Sequence, residues 1–223
     1  MADTLGRKCQ HGHADTIVEM CQAVEVSGVP VINRQLDEKR SVIHAAAIDR
    51  FSENGFAGTS MADIADAAGM SRPALYQYFR NKEDIFASAF VHLFEMQVER
   101  ALAGLNGPGT TAEQLDAFLQ RSEGDLWERM SASAHSDEIL YVKNAEVVAA
   151  IEAVVAQLWG GMAAYLRRAA PGRSRAAVER RAAWIEVLKF SPKGFKFDQP
   201  TVEVYRRRLT AFASSVAADI VAS

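Results

Sequence analysis

The chain has little of four things, and each shortage removes a class of protein. It carries only two cysteines, Cys9 and Cys21, among 223 residues. Both lie near the N-terminus, so no disulfide framework can hold the main body, and the cytoplasm is the expected location. No uninterrupted apolar run reaches the roughly 18 residues of a membrane-spanning helix, so no membrane partner is expected. The opening MADTLGRKCQHGHAD lacks the apolar segment of a secretory signal. Proline is scarce, at 6, while alanine abounds, which favours helix over strand. Positive charge is also lacking: the formal net charge is -3, so bulk electrostatics gives no general affinity for polyanions. Residues 34–86 hold seven Lys and Arg against eight Asp and Glu, a net of −1. Any nucleic-acid function must therefore rest on backbone N–H groups, hydroxyls and a few well-placed cations.

What is present is helical periodicity. Residues 1–33 show little of it, and Ser27-Gly28-Val29-Pro30 is a breaker cluster, so this stretch reads as an N-terminal extension. From Leu36 the pattern changes. Ile43, Ala47 and Phe51 fall at i, i+4 and i+8, and Asn54-Gly55 supplies a helix stop. Thr59 or Ser60 caps a second, short helix carrying Met61, Ile64, Ala65 and Ala68 as far as Gly69. Ser71 caps a third, with Pro73 tolerated in its first turn and Leu75 and Phe79 facing inward. Asn81-Lys82-Glu83-Asp84 resembles a capping box and opens a fourth, running to about Leu105. Asn106-Gly107-Pro108-Gly109 closes it. Further helices are expected from Thr110 or Thr111 past Trp127, over 145–170, over 174–190, and from Pro200 onward, with a loop over 191–199. Residues 131–144 are mixed and polar. No strand alternation stands out, so the fold class is all-α. The chain divides into an extension over 1–33, a helix-turn-helix domain over 34–86 and a larger helical domain over 87–223.

The informative stretch is Thr59 to Lys82. Two short helices flank a tight turn at Ala68-Gly69-Met70-Ser71, the layout in which the second helix enters the major groove. Arg72 can fork to guanine and Gln77 can pair with adenine, while Pro73 and Ala74 leave room for close approach. Thr59, Ser60, Ser71, Tyr76 and Tyr78 offer hydroxyls for phosphate oxygens, with Tyr78 the favoured tyrosine, and Lys82 offers a second phosphate clamp.

Residues 39–86 resemble the DNA-binding domain of the TetR/AcrR family of bacterial regulators. The likeness is carried by Ile43, Ala46-Ala47, Phe51, Gly55-Phe56, Thr59-Ser60, Ile64-Ala65, Ala68-Gly69, Ser71, Leu75-Tyr76, Tyr78-Phe79 and Lys82-Glu83. The resemblance implies a homodimer on a palindromic double-stranded DNA operator, with repression released by a small-molecule effector. It implies DNA contacts from Thr59, from Ser71 to Ala74, from Tyr76 to Tyr78 and from Lys82. It also implies that the last two helices pair across a dimer. The stripe Val202, Tyr205, Leu209, Phe212 and Val216 would serve that interface or an intrachain core equally.

Other clusters are weighed against plainer readings. Trp127, Trp159, Met162, Tyr165 and Trp184 could line an effector cavity, with His92, His135 and Tyr141 as its polar groups; aromatics at helical spacing also build plain core. Cys9, His11, His13 and Cys21 have zinc-ligand chemistry but not the spacing of a closed site, so no metal is expected. Lys189, Lys193 and Lys196 with Phe190, Phe195 and Phe197 could hold an anion, or form a loop anchored by its phenylalanines. Arg206-Arg207-Arg208 reads as a solvated helix face. No nucleophile elbow, phosphate loop or zinc-protease motif occurs, so neither a cofactor nor enzymatic activity is expected. The alternatives are an all-helical enzyme, or an adaptor that keeps the helix-turn-helix as scaffold.

Overall fold

A computed structural model describes residues 34–132 and 145–222, and among them every regular element is helical. In chain order the elements are α1 (Arg34–Gly58), α2 (Met61–Ala67), α3 (Arg72–Leu75), α4 (Lys82–Leu105), α5 (Thr111–Leu119), a π-helical turn (Gln120–Gly124), α6 (Asp125–Ala132), α7 (Ala145–Ala169), α8 (Arg175–Gly194) and α9 (Val202–Val221). The extension, with Cys9, His11, His13 and Cys21, and the polar stretch holding His135 and Tyr141 lie outside the described residues.

Local chemistry sets most of the boundaries. Side chains of Ser60, Ser71, Asn81, Thr110, Ser174 and Thr201 each accept a backbone N–H at a helix start, satisfying donors that have no partner inside the helix. Ser60 with Asp63 and Thr110 with Glu113 form complete capping boxes. At Asn81 the box is incomplete: Asp84 Oδ2 accepts from Arg80 N instead. Gly55, at φ 72°, breaks α1, so one helical turn follows a longer helix, and the expected stop is a kink. Gly69, at φ 65°, makes the turn between α2 and α3; a Cβ disfavours this left-handed conformation.

Two further boundaries differ from expectation. The third helix is regular only over Arg72–Leu75 and continues as turns. The eighth runs through Pro192 to Gly194, at the cost of the one ladder hydrogen bond that the proline nitrogen cannot donate; this shortens the expected 191–199 loop. Phe195 packs on Phe212 as an anchor would, but Phe197 is almost fully exposed.

The larger core is built by α4 to α9. It includes Leu105, Phe118, Met162, Leu166, Trp184, Leu188, Tyr205, Leu209 and Val216. The α9 stripe thus faces its own bundle: Tyr205 and Leu209 are fully buried. The arginine run is not a uniformly solvated face. Arg206 bonds Asp125, Glu128 and Gln120, and Arg208 forks onto Asp198; only Arg207 is fully turned out. By length and composition α7 is apolar enough to cross a membrane, although Glu152 interrupts the apolar run. Here it packs against α4 and α8.

Candidate DNA-binding site

A separate small core holds α2 and α3. Ile43, Ala47 and Phe51 from α1 meet Met61, Ile64 and Ala65 from α2, Leu75 from α3, Phe79 and Ile85. Leu75 is fully buried and Phe79 nearly so. These two anchors, four residues apart, fix the rotation of α3 about its axis. Ser71, Arg72, Pro73, Tyr76 and Gln77 are consequently exposed, and Ala74 is half-buried. Arg72 and Tyr76 make one unit on this face: the guanidinium carbon stands 5.6 Å from the ring centroid, and Nη2 donates to the phenol oxygen at 3.3 Å. Stacking of this kind holds a long cation extended without using up its remaining donors.

The other expected DNA contacts sit differently. Tyr78 leans into the small core, while Tyr76 points outward, reversing the order of preference expected for phosphate. Thr59 is buried, and its hydroxyl faces the carbonyls of Gly55 at 2.8 Å and Arg50 at 3.1 Å. Ser60 remains exposed at the start of α2. Lys82 Nζ donates to Phe56 O at 2.7 Å and Thr59 O at 3.0 Å, and stands 4.5 Å from the Phe56 ring centroid. Its ammonium therefore ties the first turn of α4 to the end of α1. Sequence reading missed this role because the partners lie 26 and 23 residues away.

Lys82→Met is expected to lower unfolding stability by about 1–3 kcal/mol, the scale of hydrogen bonds made by a charged donor. The salt dependence of DNA binding should stay unchanged. A phosphate clamp would instead lose roughly one unit of salt slope with little change in stability. Urea unfolding and a salt titration of binding separate the two.

A second joint links α1 to α4. His44 is buried, donates to or accepts from Ser88 Oγ at 2.8 Å, and packs 4.9 Å from the His92 ring. Burial, then His92, then Arg40 push its pKa down from 6.5 to about 4. A folded-state value below the unfolded one means that the unfolded chain binds the proton better. The stabilisation is therefore fully present above about pH 6.5 and is lost as pH falls from there through about 4. It amounts to up to about 3 kcal/mol. In urea unfolding between pH 7 and 4, His44→Gln should flatten this acid-side loss; an unchanged slope would contradict it.

Of the expected effector-cavity residues, Trp127, Trp159, Met162, Tyr165 and Trp184 pack in or against the bundle core. Trp184 Nε1 donates to Asp219, Trp127 Nε1 to Pro200 O and Tyr165 OH to Gln114. Trp159 packs edge-on to Phe118, and Met162 is fully buried. His92 stands apart from them, beside His44 and 3.7 Å from Glu95.

Fold and site together define a helix-turn-helix protein: a short polar helix displayed on its own core and joined to a larger helical bundle. Residues 43–89 match the bacterial regulatory proteins of the tetR family. The HTH-type transcriptional regulator HbdR of Aromatoleum sp. (strain CIB) is 32% identical over 138 residues, 58% of this chain and 60% of that protein. The chain thus matches under two thirds of that relative's length. Two crystal structures share the fold. A TetR/AcrR-family regulator from Thermobifida fusca superposes with a TM-score of 0.53 at 22% identity, over 79% of this chain and 96% of the other. FadR from Bacillus subtilis in complex with stearoyl-CoA gives 0.53 at 21%, over 81% and 96%. Residues 43–89 thus match the tetR family, and the chain shares the fold of TetR/AcrR-family structures.

Proposed function

We propose that this protein is a transcriptional repressor that binds a palindromic operator as a homodimer in the cytoplasm and is released by a small molecule. The carrying observation is the exposed face of α3. Arg72 on α3, with Tyr76 and Gln77 on the turns that continue it, stands outward, and the opposite side is locked by Leu75 and Phe79. Such a face matches base edges in the major groove, with Ser60 and Ser71 beside it for phosphate. Two copies would place their α3 helices about 34–36 Å apart, one turn of DNA.

Dimerisation has its own support. On α8, Ala183, Val187 and Phe190 fall at i, i+4 and i+7 and are all exposed. On α9, Ala211, Ser214, Ser215 and Ala218 leave a face of small side chains open. Together they suit a four-helix contact between protomers. Release by a small molecule follows the FadR structure, which holds stearoyl-CoA. An effector acts only by binding one dimer geometry better than the other, and α4 is the lever, since it runs from the helix-turn-helix core into the bundle.

Sedimentation of the free protein and of its complex with the preferred duplex tests the dimer. Wild-type protein should sediment as a dimer in both. Val187→Glu should yield a folded monomer with strongly weakened binding. A monomeric wild type at DNA-binding concentrations, or an unaffected Val187→Glu dimer, would overturn this arrangement.

A further inference from the structure

An apolar cavity lies outside the bundle core, at the seam where α1 meets α4 and α6. Its volume is about 390 Å³, within the range of small-molecule sites. Ile48 and Phe51 come from α1, Phe86 and Phe90 from α4, and Leu126 and Met130 from α6. The polar groups are concentrated on a few side chains. Glu53 is paired with Arg50 at 3.1 Å. Arg129 projects exposed from α6 and, among the described residues, makes no ion pair or hydrogen bond. It also lines an adjoining cavity of about 290 Å³ along the same seam, as do Asp49, Ile48 and Leu93. In that second cavity Arg100 is already paired with Asp125 at 3.0 Å.

The geometry points to this seam as the effector site, and to an amphipathic monocarboxylate as its ligand class: an apolar body against the phenylalanines and one carboxylate on Arg129. The assignment rests on the reading of the protein as a ligand-released regulator. A guanidinium without a carboxylate partner beside an apolar cavity is a fork for a planar carboxylate. Asp49 on the same rim disfavours a second negative charge, which selects against phosphate monoesters. The site can reach the DNA-binding face by a short route. Phe51 belongs to the small core that holds α2 and α3. Phe86 packs on Phe51, Phe56 and Phe90, with centroids 5.3, 5.1 and 6.1 Å away. Phe56 supplies the carbonyl that Lys82 grips. A ligand wedged between α1 and α4 therefore presses on the joint that orients α3.

The test uses the full chain and decanoate as probe, read by titration calorimetry below its micelle concentration. Decan-1-ol, decylamine and decyl phosphate serve as comparisons. Decanoate should bind once per protomer and at least about tenfold more tightly than the other three, the scale of one charge-assisted contact. Arg129→Gln, at an exposed position, should weaken decanoate about tenfold and leave decanol unchanged. Leu93→Trp should fill the seam and abolish binding of both. No binding of decanoate, equal binding of decylamine, or full retention by Arg129→Gln would each overturn the site. The same preparation is used to select DNA. Duplex selection with decanoate binding insensitive to Arg129→Gln sinks the site and leaves the regulator. The expected decanoate results without any DNA selection keep the site and sink the regulator.

Discussion

Replacing Arg72 with alanine lowers affinity for the preferred duplex by about 1–3 kcal/mol and relaxes the choice at one base pair. The loss follows from the geometry of α3. Arg72 is exposed, stacked on Tyr76 and free of any carboxylate ion pair among the described residues, so in the proposed complex it would enter the groove already extended. A bidentate contact to guanine discriminates on that scale. Removal should not unfold the domain, because the small core beneath is untouched. Tyr76→Phe should cost less, since stacking survives and only the 3.3 Å hydrogen bond is lost. Binding measured over every single-base variant of the site checks both. Uniform weakening across all variants would make Arg72 a phosphate contact instead of a base reader.

Tyr205→Ala should destabilise the bundle by about 3–5 kcal/mol, the range for truncating a fully buried aromatic. Against a typical total of about 5–15 kcal/mol this approaches unfolding. Tyr205 is fully buried where α9 crosses α6 and the end of α8. Its hydroxyl faces Glu123 and the carbonyl of Pro192, both at 3.3 Å. Lys196 neutralises Glu123 at 2.8 Å and stands 5.1 Å from the Tyr205 ring. Burial, reinforced by the Glu123 charge, raises the phenol pKa well above its usual value, so the group stays a donor. Tyr205→Phe, which keeps the volume, should cost only about 1–2 kcal/mol. Urea unfolding of the two variants gives the comparison; equal losses would show that the hydrogen bonds, not the packing, hold this joint.

The helix-turn-helix was legible in the sequence because its determinants are local. Ser71 caps α3, Gly69 makes the turn, and Leu75 and Phe79 repeat at four residues; none of these depends on distant chain. The tie from Lys82 to the end of α1 was hidden for the opposite reason. A lysine in a first turn reads as a phosphate ligand until the end of α1 is brought beneath it. Tyr76 and Tyr78 could be placed on different faces, but which one faced out depended on how α3 packs on α1. The bundle aromatics gave no signal separating cavity from core. Trp159 and Met162 have the helical spacing both readings require, and only the folded chain shows them packed in or against the core. The seam cavity was invisible because Phe51 and Phe86 look like ordinary anchors until α6 brings Met130 and Arg129 alongside.

In the proposed function, α3 reads sequence in duplex DNA. Selection of bound duplexes from a random pool by the purified full chain, followed by sequencing, tests it most directly. The expected result is an enriched palindrome whose half-sites are centred about one helical turn apart, with enrichment at one base pair lost in Arg72→Ala. Folded, dimeric protein that enriches no sequence at moderate salt would contradict it.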